Sequence, residues 1–196
     1  MKVAALVLAA GSSVRFGSAK QLAPWGDDTL LGHVLERVAR WPVDETWLVL
    51  GSDADEILDR VDPGEAVVVV NESHEGGLSS SLKVGLDALL LGSRMDAVLI
   101  VLADQPTIPD EVPGELIEGM RDSGLPVAIP KYRYERGNPV LVSRLLWERL
   151  MSLEGDEGAR GLFAAHPEWV HEVWIDALPP RDIDTPEDHA EMRPRS

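Results

Sequence analysis

Four short runs in the first half of the chain are apolar almost throughout: residues 3–8, 46–50, 66–70 and 97–102. A strand with one wet face alternates apolar and polar side chains. A run without alternation has both faces buried, as in a parallel sheet covered by helices. Between these runs lie segments of helical spacing. Leu30, Leu31, Val34, Leu35 and Val38 share one face of a helix, with Asp28 as the expected N-cap. Ile57, Leu58 and Val61 mark a short helix opened by Asp53 and broken at Asp62-Pro63-Gly64. Leu82, Leu86, Leu89 and Leu90 mark a longer one over 79–91, and a further helix is expected from Asp110. The alternation of strand and helix predicts an α/β fold: a Rossmann-like three-layer sandwich around a mostly parallel sheet.

The second half is less regular. Short strands are expected at 127–129 and 169–175, an extended run at 139–142, a helix over 143–150 and a final helix after Pro186. With no repeat and no linker, residues 1–196 read as a single domain. Six tryptophans are scattered, and all but Trp25 are expected in the core.

In open parallel sheets ligands bind where strands end. Three predicted strands end in chemistry-bearing segments. The first enters Leu8-Ala9-Ala10-Gly11-Ser12-Ser13-Val14-Arg15-Phe16-Gly17-Ser18-Ala19-Lys20. Its small residues let backbone N–H groups approach an anion, and Arg15 and Lys20 add positive charge. Neither G-x-x-x-x-G-K-[ST] nor G-x-G-x-x-G is present, so it is not one of the two common phosphate loops. The third strand enters a Gly- and Ser-rich loop, 71–81, with Gly77 and Ser81 placed to meet a flat base; His74 in it reads as a surface histidine. The fourth enters Asp104-Gln105-Pro106. A carboxylate there suits Mg²⁺, which takes hard oxygen ligands alongside substrate phosphates; a turn or cap role is the alternative. Asp182 and Asp184, two residues apart, add carboxylates late in the chain, and capping before Pro186 is the alternative there.

Net charge is −16, from 34 acidic and 18 basic residues, which argues against a broad nucleic-acid surface. No apolar run approaches the length that spans a bilayer, so no membrane role is expected, and the N-terminus reads as a core strand and not a signal peptide. There is no cysteine, which excludes disulfides and thiol nucleophiles and fits a cytoplasmic location.

The pattern Leu8-Ala9-Ala10-Gly11-x-Ser13-x-Arg15-x-Gly17-x-x-Lys20 resembles the signature of MobA-like nucleotidyltransferases, which have a glycosyltransferase-A, or nucleotide-diphospho-sugar transferase, type of fold. With Asp104-Gln105-Pro106, Arg136-Gly137-x-Pro139-Val140, Gly155-Asp156-x-Gly158-Ala159-Arg160 and Asp182-Ile183-Asp184-Thr185-Pro186-x-Asp188, it is similar to the molybdenum cofactor cytidylyltransferase branch. Two positions depart from that branch: His74 stands where an aromatic residue is usual, and Asn138 where His is usual.

The resemblance implies transfer of CMP from CTP to molybdopterin, with release of pyrophosphate and with Mg²⁺ as cofactor. It implies that Gly11, Ser12, Ser13 and Arg15 hold the β- and γ-phosphates and that Lys20 neutralises the α-phosphate. Leu8, Ala9, Ala10, Gly77 and Ser81 would complete the nucleotide site, and Asp104 and Asp184 would hold the metal. Ala9-Ala10-Gly11 favours CTP, because guanylyl-transferring relatives more often carry Ala-Gly-Gly. GTP, another phosphorylated acceptor, and a nucleotide-binding regulatory or chaperone protein without turnover are the alternatives. A molybdoenzyme or its chaperone is the implied partner.

Overall fold

The computed structural model describes residues 1–11, 16–73, 77–153 and 159–194. Among the described residues, seven strands form one sheet. Its centre is β1 (Val3–Ala9), buried at every position. It pairs in parallel with β4 (Glu45–Leu50) on one side and β6 (Ala97–Leu102) on the other, with Leu6 level with Trp47 and Ile100. Next to β4 lies β5 (Val67–Val70), also parallel. These are the four apolar runs, within a residue of their expected bounds.

Alternate residues of β1 serve two cores, because successive side chains point to opposite faces. Val3, Ala5, Val7 and Ala9 pack with Leu31, Leu35 and Val38 of α1 (Leu30–Val38), Ile57 of α2 (Ala54–Leu58) and Leu116 of α4 (Val112–Ser123). Ala4, Leu6, Leu8 and Ala10 pack with Leu82, Leu86 and Leu89 of α3 (Gly77–Gly92) and with Trp147 and Leu150 of α5 (Trp147–Met151). The three layers follow from that division. Gly85 marks how closely α3 approaches β1: a Cβ there would lie 2.7 Å from Leu6 Cδ1.

Beyond β6 the sheet becomes mixed. Strand β8 (Val140–Ser143) lies antiparallel between β6 and β7 (Val127–Lys131), and β9 (Val170–Trp174) runs parallel to β7 at the edge. The expected helix over 143–150 is a 3-10 turn, Arg144–Leu146, followed by α5. A short α6 (Arg160–Ala165) precedes β9, and α7 (Pro186–Met192) closes the described chain.

Three local expectations are corrected. Asp28 does not cap α1; Thr29 does, its hydroxyl accepting from the Gly32 N–H at 3.0 Å. Asp28 instead begins β3 (Asp28–Thr29), which pairs with β2 (Pro24–Trp25), and its carboxylate accepts from the Thr29 N–H. Trp25 is not a surface residue: it is 4% exposed, packed with Leu30 and Ile183 where α7 docks on the β2–β3 ribbon. Trp174, expected in the core, is 61% exposed because β9 is an edge strand.

Arg37 of α1 fixes the segment that follows β6. Its guanidinium donates to the Pro106 and Ile108 carbonyls and to Asp110 Oδ1. The hydrogen bond from Arg37 holds the Asp110 carboxyl below its ordinary range. A lowered folded-state value stabilises the fold above the unfolded-state value of about 3.9 and loses that contribution as pH falls through the folded value. Arg37→Ala is expected to cost about 2–3 kcal/mol, since hydrogen bonds to buried carbonyls are lost with the charge. In urea melts, wild type is expected to exceed Asp110→Asn at pH 7, and the gap is expected to close in acid; a gap independent of pH would refute the role given to this pair.

Candidate active site

The carboxyl ends of β1, β4, β5 and β6 lie on one edge of the sheet, where the three expected segments meet. Beyond β1 the chain passes through Ala10 to Gly11. Gly51, just after β4, lies against it: a Cβ there would come within 2.9 Å of the Ala10 carbonyl oxygen and 3.3 Å of its Cα. The buried Gln21 supports the same turn, its amide donating to the Ala9 carbonyl at 2.6 Å and to the Gly11 carbonyl at 3.3 Å. Ser12, Ser13 and Arg15, expected to bind phosphate, lie outside the described residues, as do His74 and residues 154–158.

At the next strand end, Asn71 is almost fully buried. Its amide donates to the Ser80 and Ser81 hydroxyls, and its carbonyl oxygen accepts from the Ser73 N–H. Ser81, expected at the base, is thus buried in the anchor of α3 to β5. Gly77 opens α3 with a positive φ of 74°.

The chemistry gathers on Lys20. Its Nζ donates to Asp104 Oδ2 at 2.7 Å, to the Ile183 carbonyl at 3.1 Å and to Asp184 Oδ1 at 3.3 Å. Residues from the start, middle and end of the chain therefore share one ammonium. Asp104 leaves the end of β6 held on both sides: the Ala103 N–H donates to the Leu8 carbonyl, and the Asp104 carbonyl accepts from the Ile183 N–H at 3.0 Å. Gln105 completes the tie, its amide donating to Asp182 Oδ1 at 2.6 Å. Beyond Asp184, Thr185 and Asp188 form a capping box that starts α7.

Burial pushes the Asp104 carboxyl above its ordinary value; Lys20 pulls it down, and Asp182 and Asp184 push it further up. Its Oδ1 is buried with no hydrogen-bond partner among the described residues. A buried carboxylate oxygen without a hydrogen-bond partner among the described residues, beside a second carboxylate, fits a hard divalent cation. Among the described residues no three His, Cys, Asp or Glu side chains gather as a ligand set. An ion here would draw on Asp104 and Asp184 and take its remaining ligands from water and substrate oxygens.

A cleft of about 690 Å³ opens on the α3 and α6 side of the same edge, with Leu8, Leu102, Asn138, Phe163, Arg160 and Asp182 in its walls. Arg136, the first residue of the Arg136-Gly137-x-Pro139-Val140 motif, also lines it but is paired with Glu172. Gln21 and Gln105 were not singled out from the sequence. The signal for each was a buried amide beside a functional residue, which composition cannot display.

An open sheet with a lysine and two carboxylates at its carboxyl edge, fed by a small-residue βα loop, has the nucleotide-diphospho-sugar transferase architecture. Residues 5–170 match the MobA-like NTP transferase domain, and the chain belongs to that nucleotidyltransferase family. The crystal structure of a homologue of Mycobacterium tuberculosis Rv0371c, from Mycobacterium sp. strain JC1, is 36% identical, covers 98% of this chain and 96% of its own, and superposes with a TM-score of 0.88. Rv0371c of Mycobacterium tuberculosis H37Rv in complex with manganese is 27% identical over 98% of both chains, with a TM-score of 0.85. Nicotine blue oxidoreductase of Paenarthrobacter nicotinovorans is 28% identical over 194 residues, 95% of this chain and 91% of its own.

Proposed function

We propose that the protein transfers CMP from CTP to a molybdopterin-type acceptor bearing a terminal phosphate, with Mg²⁺, and releases pyrophosphate. The observation that carries this reading is the convergence of Lys20 with Asp104 and Asp184 beside the β1 turn. An acceptor phosphate oxygen attacks the α-phosphorus, the new P–O bond forms, and the bond to the β-phosphate oxygen breaks as pyrophosphate leaves. Charge builds on the α-phosphate oxygens, and the Lys20 ammonium offsets it. Asp104 and Asp184 would hold the metal, which neutralises phosphate charge when bound. Leu8, Ala9, Ala10, Gly11, Ser12, Ser13, Arg15, Gly77 and Ser81 form the proposed nucleotide site, with Gln21 holding the turn in place. The cleft beside Leu8 and Asp182 would take the acceptor. A manganese complex of a relative similar along its whole length supports divalent-metal use. The product would pass to a molybdoenzyme or its chaperone.

Pyrophosphate release with each NTP in turn, plus molybdopterin and Mg²⁺, tests this reading. Release with CTP above the other nucleotides is the expected result; release with GTP alone reassigns the base, and release with none removes this acceptor. A second reading, an oxidoreductase, draws on the near full-length similarity to nicotine blue oxidoreductase. Reduction of nicotine blue by the purified protein with a nicotinamide hydride donor added, the donor being oxidised as the dye is reduced, followed by absorbance, would favour it.

A further inference from the structure

Lys20 is the one cation seen bridging Asp104 and Asp184 among the described residues, and the bridge has an uneven geometry: 2.7 Å to one carboxylate and 3.3 Å to the other. The lysine side chain is 13% exposed, so it sits inside the site and not across its mouth. The third acceptor, the Ile183 carbonyl, belongs to the segment that carries Asp184. The ammonium thus draws the late loop onto the end of β6 through the two carboxylates that a divalent ion would use.

A buried carboxylate without a counter-ion is costly, so a protein with no metal bound needs a cation at Asp104. Lys20 supplies it incompletely, since Asp104 Oδ1 remains without a hydrogen-bond partner among the described residues. A triphosphate offers an ammonium charge-assisted hydrogen bonds of its own and carries a divalent ion with it.

We propose that Lys20 has a second role in the nucleotide-free protein: its ammonium occupies the place of the divalent cation between Asp104 and Asp184, so that lysine and metal compete and the metal enters together with the nucleotide. This rests on the reading of Asp104 and Asp184 as the metal ligands. It makes the site self-neutralised when empty and couples metal entry to the arrival of phosphate. The nucleotide draws the lysine away, and the carboxylates are then open to the ion.

The test is Mn²⁺ binding to the full chain without nucleotide, read by the paramagnetic resonance signal of free Mn²⁺. Lys20→Met is expected to bind Mn²⁺ at least about tenfold more tightly than wild type, because a like charge has left the ligand oxygens. Lys20→Gln, which retains a hydrogen-bonding head, is run beside it, and near-ultraviolet circular dichroism checks both folds. Asp104→Asn and Asp184→Asn are expected to bind more weakly than wild type. Equal or weaker binding in the folded lysine variants, with the aspartate variants impaired, overturns the competition alone. Aspartate variants that bind as wild type does overturn the metal ligands, and the proposal with them.

Discussion

Lys20→Ala is expected to lower turnover in nucleotidyl transfer by about 10³-fold, the scale seen when one preorganised charge partner of a transition state is removed. The lysine reaches the reacting edge from the 3-10 turn Lys20–Leu22, and that turn is fixed independently by the buried Gln21 and Leu22. The backbone therefore stays in place when the side chain is cut back. The loss is expected in kcat more than in KM, because the charge it offsets grows as the α-phosphorus is attacked. Steady-state pyrophosphate release checks this. Turnover within tenfold of wild type in the folded variant would remove Lys20 from the chemistry. Taken with the competition proposed above, one substitution would move two readouts in opposite directions: metal held more tightly, transfer nearly lost.

Asp104→Asn is expected to be at least as damaging to turnover, about 10³-fold or more, by a different route. The amide keeps the shape of the side chain but gives up the charge that both Lys20 and a divalent ion require. Lys20 retains Asp184 and the Ile183 carbonyl, so the fold is expected to survive with a cost of about 1–3 kcal/mol for the weakened pairing. Urea midpoints give the stability, and pyrophosphate release gives the activity. A variant that unfolds outright would make Asp104 structural first; one with wild-type turnover would remove it from the metal site. Asp182→Asn is a useful contrast, since Asp182 accepts from Gln105 and acts on the site through that tie.

The parallel half of the sheet was readable because each strand is buried on both faces, and burial leaves a continuous apolar run. The same logic fails at the far side. Strand β9 lies at an edge, its alternate positions face water, and Trp174 is accordingly exposed despite an apolar character that suggested the core. Trp25 fails in the opposite direction. Leu30 and Phe16 cover it from nearby in sequence, but its burial is completed by Ile183 and Met192, arriving from the other end of the chain. The cap of α1 was misplaced by one residue because Asp and Thr are both good caps, and only the backbone decides which one stands at the helix start.

The site divides the same way. The sequence by itself determined the kinds of groups available, namely a small-residue turn, a lysine, and carboxylates after strand ends. It also determined that they would meet at one edge, because parallel strands joined by helices must all end on the same side. Only the tertiary structure decided which carboxylates meet which cation. Asp104 and Asp184 lie 84 and 164 positions from Lys20. Their meeting depends on the docking of the last segment, through the Ile183 N–H on the Asp104 carbonyl and the Gln105 amide on Asp182. Those are long-range hydrogen bonds, one made by the buried Gln105 amide. Local pattern carries no record of them, because the free energy that selects them is gained only once the tertiary fold brings the partners together.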